Sequence, residues 1–126
     1  MLINDPQTVA ELAAIYPQYE TALVSNDIET MQRLFWASPY VVRFGVTENL
    51  HGIAEIGAFR AARSPANLAR RITRLDIVTF GKDFGCVHLE FERDKGDQVI
   101  RGRQSQTWVR LAEGWRVISA HVSLLP

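Results

Sequence analysis

The sequence predicts an α+β fold, with helices first and a sheet of antiparallel strands after them. Three observations carry that reading. Apolar residues recur at helical spacing in the first half of the chain, long segments rich in β-branched and aromatic residues fill the second, and the last two of those segments flank a short turn. One domain over residues 1–126 accommodates all of it, and no repeat, low-complexity tract or linker interrupts the chain.

Asp5 followed by Pro6 is an N-cap with proline at the first helical position, and Leu12, Tyr16, Tyr19 and Leu23 recur behind it. A helix is therefore predicted from Pro6 to Val24. Asn26 and Asp27 can cap a second, short helix through Leu34; Ser38-Pro39 breaks the pattern, and Tyr40 to Phe44 reads as a strand that Gly45 ends or bends. Asn49 to Gly52 is a short strand or turn. Ile53 to Arg63 is helical, and Ser64-Pro65 stops it. Strands follow over Arg71 to Phe80, Cys86 to Glu92 and Val99 to Leu111, with turns at Gly81 to Asp83 and Asp94 to Asp97, and Trp115 to Leu124 closes the sheet.

The closing hairpin suggests a pocket at one end of a curved sheet, because polar side chains stand where a plain core strand would be apolar. A turn over Ala112 to Gly114 pairs Leu111 with Trp115, Val109 with Val117, Thr107 with Ser119, Ser105 with His121 and Arg103 with Ser123. One face is then greasy near the turn and polar far from it. On that face Arg103, Ser105, His121 and Ser123 supply a fork for a carboxylate, two hydroxyls and a titratable imidazole. Alternation sends Gln104 to the other face, so these residues share one pocket only if a bulge intervenes.

Fourteen basic residues balance fourteen acidic ones, so no global field recruits nucleic acid or an anionic membrane, although a local cluster can still bind a small anion. Cys86 stands alone, which excludes an internal disulfide framework, and it reads as a core residue of its strand. The N-terminus shows neither the basic start nor the apolar run of a secretory signal, and apolar runs are far shorter than the roughly 20 residues that span a bilayer. The expected location is the cytoplasm. His51, His88 and His121 lack metal-ligand spacing, no glycine-rich phosphate loop is present, and a Ser105–His121 pair has no orienting acid, so neither metal, cofactor nor acyl-enzyme chemistry is expected.

Phe44 to Gly52, Phe59 to Arg63, and Gly102 to Trp108 with His121 to Ser123 carry a resemblance that covers nearly the whole chain. The sequence resembles the cone-shaped α+β proteins of the nuclear transport factor 2-like and SnoaL-like superfamily, and within it the subfamily of the oxalurate catabolism protein and the 1,3-dicarboxyurea decarboxylase. The resemblance implies a curved antiparallel sheet covered by N-terminal helices, with a cone-like cavity beneath them. It also implies a catalytic tyrosine on the first helix and an arginine on the first strand, positions that Tyr19 and Arg43 occupy. Proteins of this fold host enzymes, binding proteins and adaptors alike, so fold alone settles no chemistry.

Residue chemistry stands beside that likeness. Arg43, inside an apolar strand, must reach solvent or find an anion, since a buried unpaired charge is prohibitively costly. Tyr19 lies on the apolar stripe of its helix and is either a core tyrosine with a satisfied hydroxyl or a functional phenol. Arg60 and Arg63, three apart on one helix, either face solvent or form an anion-binding pair at the cavity mouth. The expected function is cofactor-free decarboxylation of a small N-carboxylated urea, with Tyr19 and Arg43 catalytic and Arg103, Gln104, Ser105, His121, Arg60 and Arg63 binding the substrate. The rival is an oxalurate-pathway protein that binds a small carbamoyl acid or assists a partner amidohydrolase. A third reading is an adaptor whose cone is filled by Trp36, Phe44 and Trp108. By resemblance, the expected assembly is a homodimer through the open sheet face.

Overall fold

Residues 1–126 are described by a computed structural model. Helix α1 spans Pro6–Val24 and α2 spans Ile28–Leu34. Each starts as its cap chemistry requires: the Asp5 carboxylate accepts from the Thr8 amide at 3.2 Å and hydroxyl at 2.8 Å, and Asp27 accepts from the Thr30 amide at 3.1 Å. Strands β1 (Val42–Phe44) and β2 (Asn49–His51) form a small hairpin that feeds α3 (Ile53–Ala62). Four long strands follow: β3 (Arg71–Phe80), β4 (Phe84–Lys95), β5 (Gln98–Leu111) and β6 (Gly114–Leu124).

The six strands form one curved, unclosed sheet in the order β2-β1-β6-β5-β4-β3. Every neighbouring pair is antiparallel except β1 and β6, which run parallel, with Arg43 opposite Ala120. The three helices cover one face. Leu12, Tyr16, Tyr19 and Leu23 of α1, Met31 and Leu34 of α2 and Ile56 of α3 are buried with Val87, Leu89, Phe91, Trp108, Trp115 and Val117 of the sheet. Glu11 ties the far hairpin to α1, accepting from the Trp115 indole at 2.9 Å and from Arg110 at 3.1 Å. Cys86 is half-buried on β4 rather than in the core. No helix is long and apolar enough to cross a membrane.

The closing hairpin differs from its expected register over half its length. Leu111 pairs with Gly114, Arg110 with Trp115, Val109 with Arg116 and Trp108 with Val117, so the turn is the two residues Ala112 and Glu113. A bulge between Trp108 and Thr107 then resets the count, and Thr107–Ser119, Ser105–His121 and Arg103–Ser123 pair as expected. The extra residue is Ile118. Gly114, at φ +119°, permits the tighter turn. The Val117 carbonyl beside the bulge accepts from the Trp36 amide at 2.9 Å, so the segment leaving α2 satisfies a group the hairpin gives up.

Candidate functional site

Strand alternation sets the two faces of β5. Gly102, Gln104, Gln106 and Trp108 turn inward and are buried, whereas Arg103 and Ser105 are exposed on the opposite face. On β6 the bulge does the same sorting. Trp115 and Val117 face inward, Ile118 takes up the extra position, and Ala120, Val122 and Leu124 face inward after it, opposite Gln106, Gln104 and Gly102. His121 is left exposed on the outer face beside Ser105 and stacks edge-on to Phe44, with ring centroids 5.9 Å apart. Arg103, Ser105 and His121 do share a face, but it is not the face beneath the helices. Ser105 instead meets His88, 2.8 Å from its Nδ1, and Arg103 donates to Ser123 at 3.0 Å.

The inner face holds a cavity of about 240 Å³. Its walls come from the β1–β2 hairpin (Arg43, Val46, Thr47, Glu48), from Leu23, from α3 and the segment after it (Phe59, Arg63, Leu68, Arg70), and from the sheet (Phe91, Arg93, Gln104, Val122, Leu124). Trp36, Phe44 and Trp108, which the adaptor reading has filling the cone, do not line it. Four of the lining residues are arginines and one is a carboxylate, Glu48.

Two of these guanidiniums have carboxylate partners. Arg43 donates to Glu48 Oε1 at 3.0 Å, across a turn in which any side chain at Gly45 would collide with the Glu48 carboxylate. Arg70 forks onto Glu20 with two contacts of 2.8 Å, gives a third hydrogen bond to Gln104 Oε1 at 3.1 Å, and lies 4.5 Å from the centre of the Phe91 ring. Tyr16 closes that network: its hydroxyl donates to Glu20 at 2.8 Å and accepts from Gln104 Nε2 at 3.3 Å. Burial and the neighbouring Glu20 charge push the Tyr16 phenol far above its ordinary range, so it stays protonated. Burial opposes ionisation of Glu20 too, but the Arg70 fork outweighs it and lowers the carboxyl.

Arg60 and Arg63 have no carboxylate. Arg63 lines the cavity with its guanidinium carbon 5.9 Å from the centre of the Phe59 ring and touches Met31 Sδ at 3.6 Å, while its Nε is buried without an acceptor. Burial, together with Arg43 and Arg60 nearby, lowers its pKa. Arg60 is only 1% exposed, with Nε and Nη1 both buried and unpartnered. It packs 4.6 Å from the Phe35 ring centre and 5.7 Å from that of Tyr19, and its Nη2 donates to the Tyr19 hydroxyl at 3.5 Å. Burial works against the Tyr19 phenolate, yet Arg60, Arg43 and Arg70 outweigh burial and bring the phenol below its ordinary value.

The fold thus gathers Tyr19, Arg43, Arg60, Arg63 and Gln104, and it separates them from Arg103, Ser105 and His121 by the thickness of the sheet. Tyr19 and Arg60 sit against the wall of the cavity, not on it. Glu20, Glu48, Arg70 and Arg93 escaped the sequence reading. Glu48 lies inside one of the stretches that carry the family likeness, and Glu20 follows Tyr16 at helical spacing; Arg70 and Arg93 left no local signal. Nowhere do three or more His, Cys, Asp or Glu side chains gather as metal ligands would.

A curved sheet with helices on one face and an arginine-lined cavity between them is the nuclear transport factor 2-like fold. A Salmonella enterica protein of the nuclear transport factor 2-like superfamily shares the fold at TM-score 0.78 and 18% identity, covering 95% of this chain and 92% of its own. The chain belongs to the AtzH-like family, whose model matches residues 1–126. A cystatin-like fold protein from Burkholderia xenovorans is 44% identical, with TM-score 0.91 and coverage of 100% and 99% of the two chains. A protein of unknown function from the DUF3225 family of Pectobacterium atrosepticum is 43% identical, with TM-score 0.94 and coverage of 98% and 95%. No curated protein matches the chain.

Proposed function

We propose that the protein is a cofactor-free decarboxylase of a small N-carboxylated urea, of the kind that converts 1,3-dicarboxyurea to allophanate. The observation that carries this reading is the imbalance of charge at the cavity. Four guanidiniums, Arg43, Arg63, Arg70 and Arg93, line it and meet only Glu48 and, through Arg70, Glu20, while the buried Nε–H of Arg63 has no acceptor in the protein. A small ligand carrying two carboxylates supplies both the missing charge and the missing acceptors. A cavity of about 240 Å³ suits a urea with two such groups and little more.

The chemistry asks little of the protein. The carbamate C–N bond breaks, its electron pair passes to nitrogen and spreads into the urea carbonyl, carbon dioxide leaves, and the nitrogen takes a proton. Arg43 and Arg63 hold the spectator carboxylate and the carbonyl oxygen on which charge grows. Phe59, Phe91, Val122 and Leu124 form an apolar wall that tolerates neutral carbon dioxide better than the carboxylate it comes from. Tyr19 delivers the proton, once Arg63 turns and draws the ligand toward the phenol.

The burial of Tyr19 behind the wall favours a second reading, a binding protein for a carbamoyl acid of the oxalurate type, because binding needs only the arginines. The two separate on turnover. With 1,3-dicarboxyurea generated in place by an amidohydrolase, release of carbon dioxide and allophanate should exceed the spontaneous rate. Tyr19→Phe should lower kcat roughly a hundredfold, and Arg43→Lys should weaken binding by losing the planar fork. No acceleration, together with a raised Tm in oxalurate, would leave the binding role.

A further inference from the structure

Arg60 was expected to touch substrate, but its position gives it another task. It is a charged group almost wholly buried, with no carboxylate near it, and such a group is stable only if something else answers its charge. The aromatic faces of Phe35 and Tyr19 do part of this, at 4.6 Å and 5.7 Å from the guanidinium carbon. Its one polar partner is the Tyr19 hydroxyl at 3.5 Å. Nothing negative faces that hydroxyl. The ionisable groups around it are Arg60 from α3, Arg43 from β1, Arg70 ahead of β3, and Tyr16 on its own helix, 6.2 Å away between ring centres, with Arg63 a turn beyond Arg60.

We propose that Arg60 is a positioning residue that acts through Tyr19, orienting its hydroxyl and stabilising the phenolate formed when Tyr19 gives its proton away. This rests on the decarboxylase reading for the identity of the acceptor. In the step itself the Tyr19 O–H bond breaks, its electron pair stays on oxygen, and the proton goes to the urea nitrogen that has just received the C–N pair; water later reprotonates the phenolate. A guanidinium suits the task because it stays charged at every working pH and its fork can hold the phenolate oxygen as a fixed donor. A phenol whose conjugate base is stabilised is a stronger acid near neutrality, which is where a general acid is most effective. Arg60 thus supports the chemistry without belonging to the cavity wall.

The difference in tyrosinate absorbance between the wild type and Tyr19→Phe isolates Tyr19 from Tyr16 and Tyr40 during an alkaline titration. Tyr19 should ionise below the ordinary tyrosine value, the midpoint should rise in Arg60→Met, and Arg60→Lys should restore most of it. With dicarboxyurea as substrate, Arg60→Met should lower kcat roughly tenfold with little change in KM, and the alkaline limb of the kcat profile should move to higher pH with the phenol. A wild-type Tyr19 that ionises at or above the ordinary value overturns the proposal, as does a midpoint that Arg60→Met leaves in place. If Arg60→Met does not fold, Arg60→Gln takes its place with the same expected rise. If the wild type shows no turnover at all, the decarboxylase reading falls while the titration still judges the Arg60–Tyr19 pair.

Discussion

Gln104 and Ser105 are neighbours on one strand, yet they live in different surroundings. Gln104 is 6% exposed, accepts from Arg70, donates to Tyr16 and borders the cavity. Ser105 is exposed and shares a hydrogen bond with His88 on the outer surface. Both faces of the sheet are rich in polar side chains, so polarity does not tell them apart. They differ in what happens when one polar group is removed. On the inner face every partner left behind is buried, while on the outer face water replaces whatever is lost.

The sharpest way to break this contrast is Glu20→Ala. It strands Arg70, whose side chain is 5% exposed, and it leaves the Tyr16 hydroxyl without its acceptor. We expect a loss of about 3 kcal/mol in chemical denaturation. The same pair sets an acid limit. The Arg70 fork holds the Glu20 carboxyl below its ordinary value, so its stabilising contribution is complete above that ordinary value and disappears as pH falls through the lower folded one. Wild-type stability should therefore decline below about pH 4.5, and Glu20→Gln should flatten that decline; an unchanged slope would show that the pair contributes nothing.

Gly102→Ala tests the same face by volume instead of charge. A Cβ there runs into the ring of Phe91, which supports Arg70. The overpacking should cost roughly 1–3 kcal/mol and weaken ligand-induced stabilisation, measured by thermal shift with and without oxalurate. The smallest effect belongs to the outer face. Arg103→Ala, Ser105→Ala and His121→Ala should each change stability by no more than about 0.5 kcal/mol and leave turnover of dicarboxyurea intact. A large loss of activity in any of the three would place the site on the wrong face.

Much of this molecule was legible in its sequence, for identifiable reasons. Helix α1 runs over the predicted residues because a strong cap, a following proline and an apolar stripe agree about it. Tyr19 and Arg43 came from family likeness, and the fold brings both to one charged cluster. The closing hairpin is where the expected register and the observed one part. Counting back from a three-residue turn kept Val117 and His121 on one face, whereas the bulge at Ile118 turns Val117 inward and His121 out. Period-two alternation makes a one-residue insertion flip everything beyond it, and no residue type near Ile118 announces the insertion.

The sequence by itself determined the elements, the α+β class and the absence of a strong global field, because caps, turn residues, periodicity and formal charge are local or additive properties. Tertiary structure decided which residues face the cavity. It set the bulge that hides His121 from the cavity, and it brought Arg70 onto Glu20 from 50 positions away and Arg60 onto Tyr19 from 41. Balanced overall charge conceals this concentration of arginines, since charge balance is a sum over the chain and a binding site depends on where the charges meet.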